Sequence, residues 1–192
     1  LAQYLYPIFD AKEESRCTPL GKGLPAGPGA AAGKLALTAD RAVEMKAAGN
    51  RVVLVRQETS PDDIHGMNAA LGFLTARGGM TSHAAVVARQ MGKVCVAGCD
   101  AIEVLDNQSV RIGTQTFREG DYLSVNGSTG NVYGGDIPVV ESEVIQVLQG
   151  KMEASASEKY QMFESVLKWA DGVRQLRVRA NADVPDQASS EH

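Results

Sequence analysis

The sequence has no basic stripe, no long apolar run and no even set of cysteines, and each absence removes a class of protein. Its formal net charge is −4, from 19 Lys and Arg against 23 Asp and Glu. Without a run of cations to neutralise phosphates, nucleic acid is not expected as a partner. The longest apolar runs, such as Val52–Val55 and Ala84–Ala88, fall far short of the roughly 20 residues that span a bilayer as a helix. No membrane partner is expected. Leu1–Asp10 has neither a basic start nor a continuous apolar core and does not read as a signal peptide. The three cysteines, Cys17, Cys95 and Cys99, form no even framework. Reduced thiols in an intracellular compartment, cytoplasmic or organellar, are the expectation. Cys95 and Cys99 lack further ligands nearby, so no metal site is expected in this chain. There is no internal repeat, no low-complexity tract and no initial Met, and the last suggests a piece of something longer.

What is present is enough apolar material, 44% of 192 residues, for one domain with extra segments. Four parts can be drawn. Residues 1–20 are unpatterned and read as a connector from a preceding unit. Residues 21–137 are rich in Gly and alternate short apolar runs with short helical patterns. Residues 138–174 read mostly as helix, and residues 175–192 as a strand and loop. Within the second part, Pro28–Thr38 reads as extended chain and Asp40–Ala48 as a helix stopped by Gly49. Arg51–Arg56, Gly72–Ala76 and Lys93–Ala97 read as buried strands. Ser60-Pro61-Asp62-Asp63 is a helix start, with a capping hydroxyl, a first-turn proline and acids at the dipole. Ser82–Met91 is a further helix ended by Gly92. Ser109–Gly113, Tyr122–Val125 and Asn131–Tyr133 are strands, the last two joined by the turn Asn126–Gly130. This order predicts a compact α/β domain with a mixed sheet. Helical spacing over Glu141–Gln149 and Ala154–Val173 gives packing faces. Unbroken from Glu141 to Gln175, such a helix would extend about 50 Å at roughly 1.5 Å per residue; Gly150 interrupts it.

The chemistry concentrates at Gly78-Gly79-Met80-Thr81-Ser82-His83, where a strand leads through a diglycine into a helix. Glycine permits backbone angles closed to other residues and lets an anion approach closely. Thr81 or Ser82 can cap the helix, which places His83 in its first turn. The free amides and positive dipole end there favour an anion, and a ring nitrogen in the same turn is a nucleophile for phosphorus. A lone histidine is more often structural. Here the diglycine, two hydroxyls and the small Ala84-Ala85 would leave the ring accessible, which favours the functional reading. Ser82 and His83 are adjacent and diverge on a helix, and no Gly-x-Ser-x-Gly elbow exists, so a serine hydrolase does not fit. His65 reads as a surface residue, and the terminal His192 carries no information.

Gly78-Gly79-Met80-Thr81-Ser82-His83-Ala84-Ala85-Val86-Val87-Ala88-Arg89 closely resembles the phosphohistidine signature of pyruvate phosphate dikinases. Val53-Leu54-Val55-Arg56, Glu58-Thr59-Ser60-Pro61-Asp62-Asp63 and Asn126-Gly127-Ser128-Thr129-Gly130 resemble the same family, as does Gly23-Leu24-Pro25-Ala26 more weakly. Leu176–Asp183 looks like the first strand of that family's pyruvate-binding barrel. Phosphoenolpyruvate synthase and enzyme I of the sugar phosphotransferase system share the domain. They usually place Arg where this chain has Met80, which favours the dikinase.

The resemblance implies a swivelling β/β/α phosphohistidine domain over 21–137, a helical linker over 138–174 and the start of a barrel over 175–192. It implies that His83 is phosphorylated on Nε2, with Gly78, Gly79, Thr81 and Ser82 supporting the phosphoryl group. It also implies partners in the same parent chain, an ATP-grasp domain and a pyruvate/phosphoenolpyruvate-binding barrel, with ATP, phosphate and pyruvate as substrates. Mg²⁺ would be bound in those absent domains, and the parent would be a homo-oligomer of cytoplasm, plastid or glycosome. Thr81 maps onto a regulatory phosphorylation site of plant members. The fragment alone is expected to be inactive. From a different class, a non-catalytic docking module binding an anion at the Gly78–His83 turn remains open.

Overall fold

The computed structural model describes residues 5–173. In chain order the first elements are β1 (Ile8–Phe9), α1 (Ala11–Ser15), β2 (Gly21–Lys22), β3 (Leu24–Gly27), β4 (Ala30–Ala36), α2 (Ala39–Ala47) and β5 (Val52–Arg56). Next come α3 (Ile64–Ala69), β6 (Gly72–Thr75), α4 (His83–Met91), β7 (Val94–Ala97), β8 (Ile102–Val104), β9 (Ser109–Ile112) and β10 (Gln115–Arg118). The last are β11 (Tyr122–Asn126), β12 (Asn131–Gly134), β13 (Val139–Val140), α5 (Glu143–Leu148) and α6 (Glu158–Val173).

The main sheet has eight strands in the order β2-β12-β11-β4-β5-β6-β7-β3. Strands β4 to β7 run parallel, because α2, α3 and α4 carry the chain back between them. Their apolar runs are buried on both faces, as expected of parallel strands. Val53, Val55, Leu74, Val94 and Val96 face one core, shared with Ile102, Val110 and Ile112 of a three-stranded sheet ordered β10-β9-β8. The alternate residues Val52, Leu54, Phe73, Cys95 and Ala97 face a second core under the helices. The layers are therefore sheet, sheet and helix, the β/β/α arrangement expected. Alanines 84, 85 and 88 form the inward stripe of α4 and let it lie close against the strands.

The two margins of the main sheet, β2 and β3, are consecutive in the chain. They are halves of one segment bent at Gly23, whose amide donates to the Gly130 carbonyl at 2.9 Å. A Cβ on Gly23 would stand 2.7 Å from the Ala97 carbonyl oxygen. Only glycine lets this segment change partners within a residue.

Residues 8–15 are more ordered in pattern than their sequence suggests. β1 pairs with β13, and Phe9 meets Tyr133 edge to face at 6.2 Å between centroids. Glu14 accepts from Asn126 Nδ2 and the Tyr133 hydroxyl. The helical spacing after residue 140 forms two helices, α5 and α6, divided at Gly150 as the sequence suggests. Gly150 takes φ +71°, and Glu143 then joins the two helices, accepting from Ser157 Oγ and Lys159 Nζ at 2.9 Å each. The strand and barrel expectation at 175–192, and His192, lie outside the described residues.

Candidate functional site

The site forms where β5 and β6 end, at the carboxyl margin of the parallel strands, where open α/β sheets place their ligands. The two outgoing loops stay paired for two residues: the Ala76 amide donates to Arg56 O at 3.1 Å and the Arg77 amide to Gln57 O at 2.9 Å. The β6 loop then turns sharply at Gly78, which has φ +112°. A Cβ there would lie 2.8 Å from Ser82 Cβ. Gly79 is different: its φ is not positive and a Cβ added to it would meet nothing within 4 Å, so its contribution is open space beside the turn.

Ser82, not Thr81, caps α4. Its Oγ accepts from the Ala85 amide at 3.4 Å, and Gly92 ends the helix in the left-handed region. His83 is the first helical residue. The amides of His83 and Ala84 have no acceptor within the helix, whose first accepting carbonyl is that of Ser82, so the helix end presents donors and a positive dipole to whatever binds there. Arg89, two turns along, donates to the Met80 carbonyl at 2.7 Å and ties the loop to its helix. Thr81 and Met80 are exposed and Ser82 and His83 half-buried.

Thr59 completes the site from the β5 loop. Its Oγ1 lies 3.1 Å from His83 Nδ1. With Nδ1 engaged, Nε2 is the ring nitrogen left for chemistry. In the sequence Thr59 belongs to a family-like motif but carries no role of its own. The signal that finds it is the parallel pairing of β5 with β6, which places the two loops side by side.

The other candidates sit elsewhere. His65 Nε2 is 2.8 Å from Asp40 Oδ1 on the surface. Cys95 and Cys99 are buried free thiols and Cys17 is half-buried; burial pushes Cys95 up to about 12 and raises Cys99 as well. Among the described residues no group of three or more His, Cys, Asp or Glu is arranged to hold a metal. No helix among them is long and apolar enough to cross a membrane.

A histidine opening a helix beside a glycine turn, on a β/β/α body, defines a class that the family comparison matches. Residues 48–130 match the family described as PEP-utilising enzyme, mobile domain. Within that class the relatives are pyruvate, phosphate dikinases. The chain is 49% identical over 187 residues to that of Clostridium symbiosum, covering 97% of this chain and 20% of the relative. It is 47% identical over 189 residues to pyruvate, phosphate dikinase 1, chloroplastic, of Arabidopsis thaliana, covering 98% and 18%. For the Giardia intestinalis protein the identity is 42% over 188 residues, covering 97% and 19%. The chain thus spans about a fifth of the length of these curated relatives. A solved structure of an Enzyme I protein is 26% identical with a TM-score of 0.32, covering 59% of this chain and 38% of that one; so partial a superposition carries no weight for the fold.

Proposed function

We propose that this chain is the phosphoryl carrier of a pyruvate, phosphate dikinase and that His83 Nε2 carries the group. The observation supporting it most is the His83 ring at the start of α4, with Nδ1 held by Thr59 and Nε2 free. In the proposed sequence, Nε2 attacks the β-phosphorus of ATP, an N–P bond forms and the α–β bridge breaks, releasing AMP. Inorganic phosphate takes the outer phosphoryl group and leaves as pyrophosphate. The enolate oxygen of pyruvate then attacks the remaining phosphorus, breaking N–P and giving phosphoenolpyruvate. Throughout, this chain's part is to present Nε2, to offer the α4 amides to the phosphoryl oxygens, and to keep Nδ1 hydrogen-bonded.

One histidine cannot reach two separate substrate sites at once, so the domain has to move between them. The proposed divisions are a connector at 1–20, the carrier at 21–137, a linker at 138–174 and the start of a barrel at 175–192. The ATP-grasp unit, the barrel, Mg²⁺ and any assembly of subunits belong to the rest of the parent. Exposed Thr81 has no capping duty, which supports a regulatory role in which a phosphate there repels the incoming phosphoryl group.

The test is to treat the full-length parent with ³²P-phosphoenolpyruvate and look for an acid-labile label. Wild type should be labelled and His83→Asn should not, with unchanged folding by circular dichroism. Labelling of His83→Asn at the wild-type level would rule out the carrier role for this residue, and no label in either would favour a docking module.

A further inference from the structure

The loop that brings Thr59 to the ring is held on its far side by a buried carboxylate. Asp63 is 6% exposed. Its Oδ2 accepts from the Ser60 amide at 2.9 Å and lies 3.4 Å from Ser60 Oγ. Its Oδ1 is 3.4 Å from Arg56 Nη2. Arg56 Nη1 in turn donates to the Leu37 carbonyl at 3.0 Å, just past the end of β4. Polar contacts therefore run from the end of β4 through Arg56 and Asp63 to Ser60, the residue that follows Thr59 in the chain.

A helix start needs an acid near its first amides but no arginine behind that acid. Burying the carboxylate of an ion pair costs desolvation, and such a pair is weak as a source of stability. What the pair does achieve is geometric. Arg56 leaves β5 at one end of the loop and Asp63 follows its other end, so together they clamp the four residues between Arg56 and Pro61. Thr59 lies inside that clamp.

We propose that Asp63, held by Arg56, is a positioning residue that fixes the Thr59 hydroxyl on His83 Nδ1 and so aims Nε2 at phosphorus. This rests on the carrier reading of His83. The polar partners of Asp63 and Arg56 do not include the ring, so in this proposal their effect passes through Thr59.

A double-mutant cycle in the full-length parent enzyme tests this by single-turnover transfer from ³²P-phosphoenolpyruvate to His83. Thr59→Val and Asp63→Asn should each slow transfer about tenfold, equivalent to about 1.4 kcal/mol, with the concentration of phosphoenolpyruvate giving half-maximal rate unchanged. The double variant should be within about twofold of Thr59→Val, because the second change has nothing left to misplace. Thr59→Ser should restore most of the rate. A further slowing of about tenfold in the double variant, or wild-type transfer in Asp63→Asn, would overturn the proposal. Arg56→Lys, which cannot span both Leu37 and Asp63, carries the same prediction if Asp63→Asn does not fold. Should both fail to fold, Asp63 and Arg56 are structural and the proposal falls. Absence of label from the wild type would remove the carrier reading itself, a result distinct from an additive cycle on a labelled enzyme.

Discussion

Replacing each glycine of the diglycine by alanine should give opposite results, although the two are neighbours. At Gly78 the backbone has φ +112°, and an L-residue held in such a region costs of order 1–3 kcal/mol. The new Cβ would also lie 2.8 Å from Ser82 Cβ and 3.0 Å from Ser82 Oγ. Both atoms belong to the residue that caps α4, and a lost cap costs about 1 kcal/mol. Together these give about 3 kcal/mol for Gly78→Ala, or a fall of roughly 6–12 °C in the melting temperature of a chain this size. At Gly79 the φ is not positive and the Cβ meets nothing within 4 Å, so Gly79→Ala should stay within about 0.5 kcal/mol of wild type. Thermal unfolding of the 192-residue chain measures both. Amide hydrogen exchange should add that Gly78→Ala speeds exchange in the first turn of α4 before it affects the parallel strands. Equal losses in the two variants, or an unchanged melting temperature for Gly78→Ala, would refute the assignment of the strain to Gly78.

Two further outcomes follow from burial. Thr75 is 1% exposed and its Oγ1 has no hydrogen-bond partner, so Thr75→Val should raise stability by about 1 kcal/mol, roughly 2–4 °C by thermal unfolding; a lower melting temperature would contradict this. The Cys95 thiol is pushed by burial from 9.0 to about 12. The unfolded chain therefore ionises it first: its contribution is complete below pH 9 and is lost as the pH rises towards 12, on the order of 4 kcal/mol. In denaturant titrations across that range Cys95→Ala should lose less stability than wild type, and parallel losses would show that Cys95 does not titrate this way.

The parts of the fold that could be read in the sequence are those where one local signal suffices. Val52–Val55 and Val94–Ala97 are buried on both faces, so an unbroken apolar run marks them. Ser82 and Gly92 bracket α4 by cap chemistry alone, and the Gly78–His83 turn announces its own chemistry. The strands that the sequence does not reveal carry too little apolar pattern. Within β10 only Phe117 is buried, and within β8 only Ile102 is. Thr59 is hidden for another reason. It is 24 residues from His83, and nothing in either segment states that β5 and β6 lie side by side and parallel. The same holds for Arg56 and Asp63, whose pairing reads locally as an ordinary helix start. The division of the helical spacing at Gly150 could be read, but amphipathic spacing on its two sides does not say how the pieces are oriented; the Glu143 contacts with Ser157 and Lys159 decide it.

The bend at Gly23 has a bearing on how this body behaves in solvent. Most open sheets end in two long ribbons of unpaired amides and carbonyls, and a stranger's strand can graft onto either. Here the rim is one short length of chain that switches allegiance halfway, two residues on one flank and four on the other. There is little selvedge for a second molecule to stitch onto. The main sheet of a body finished in this way gives a second copy little to pair with.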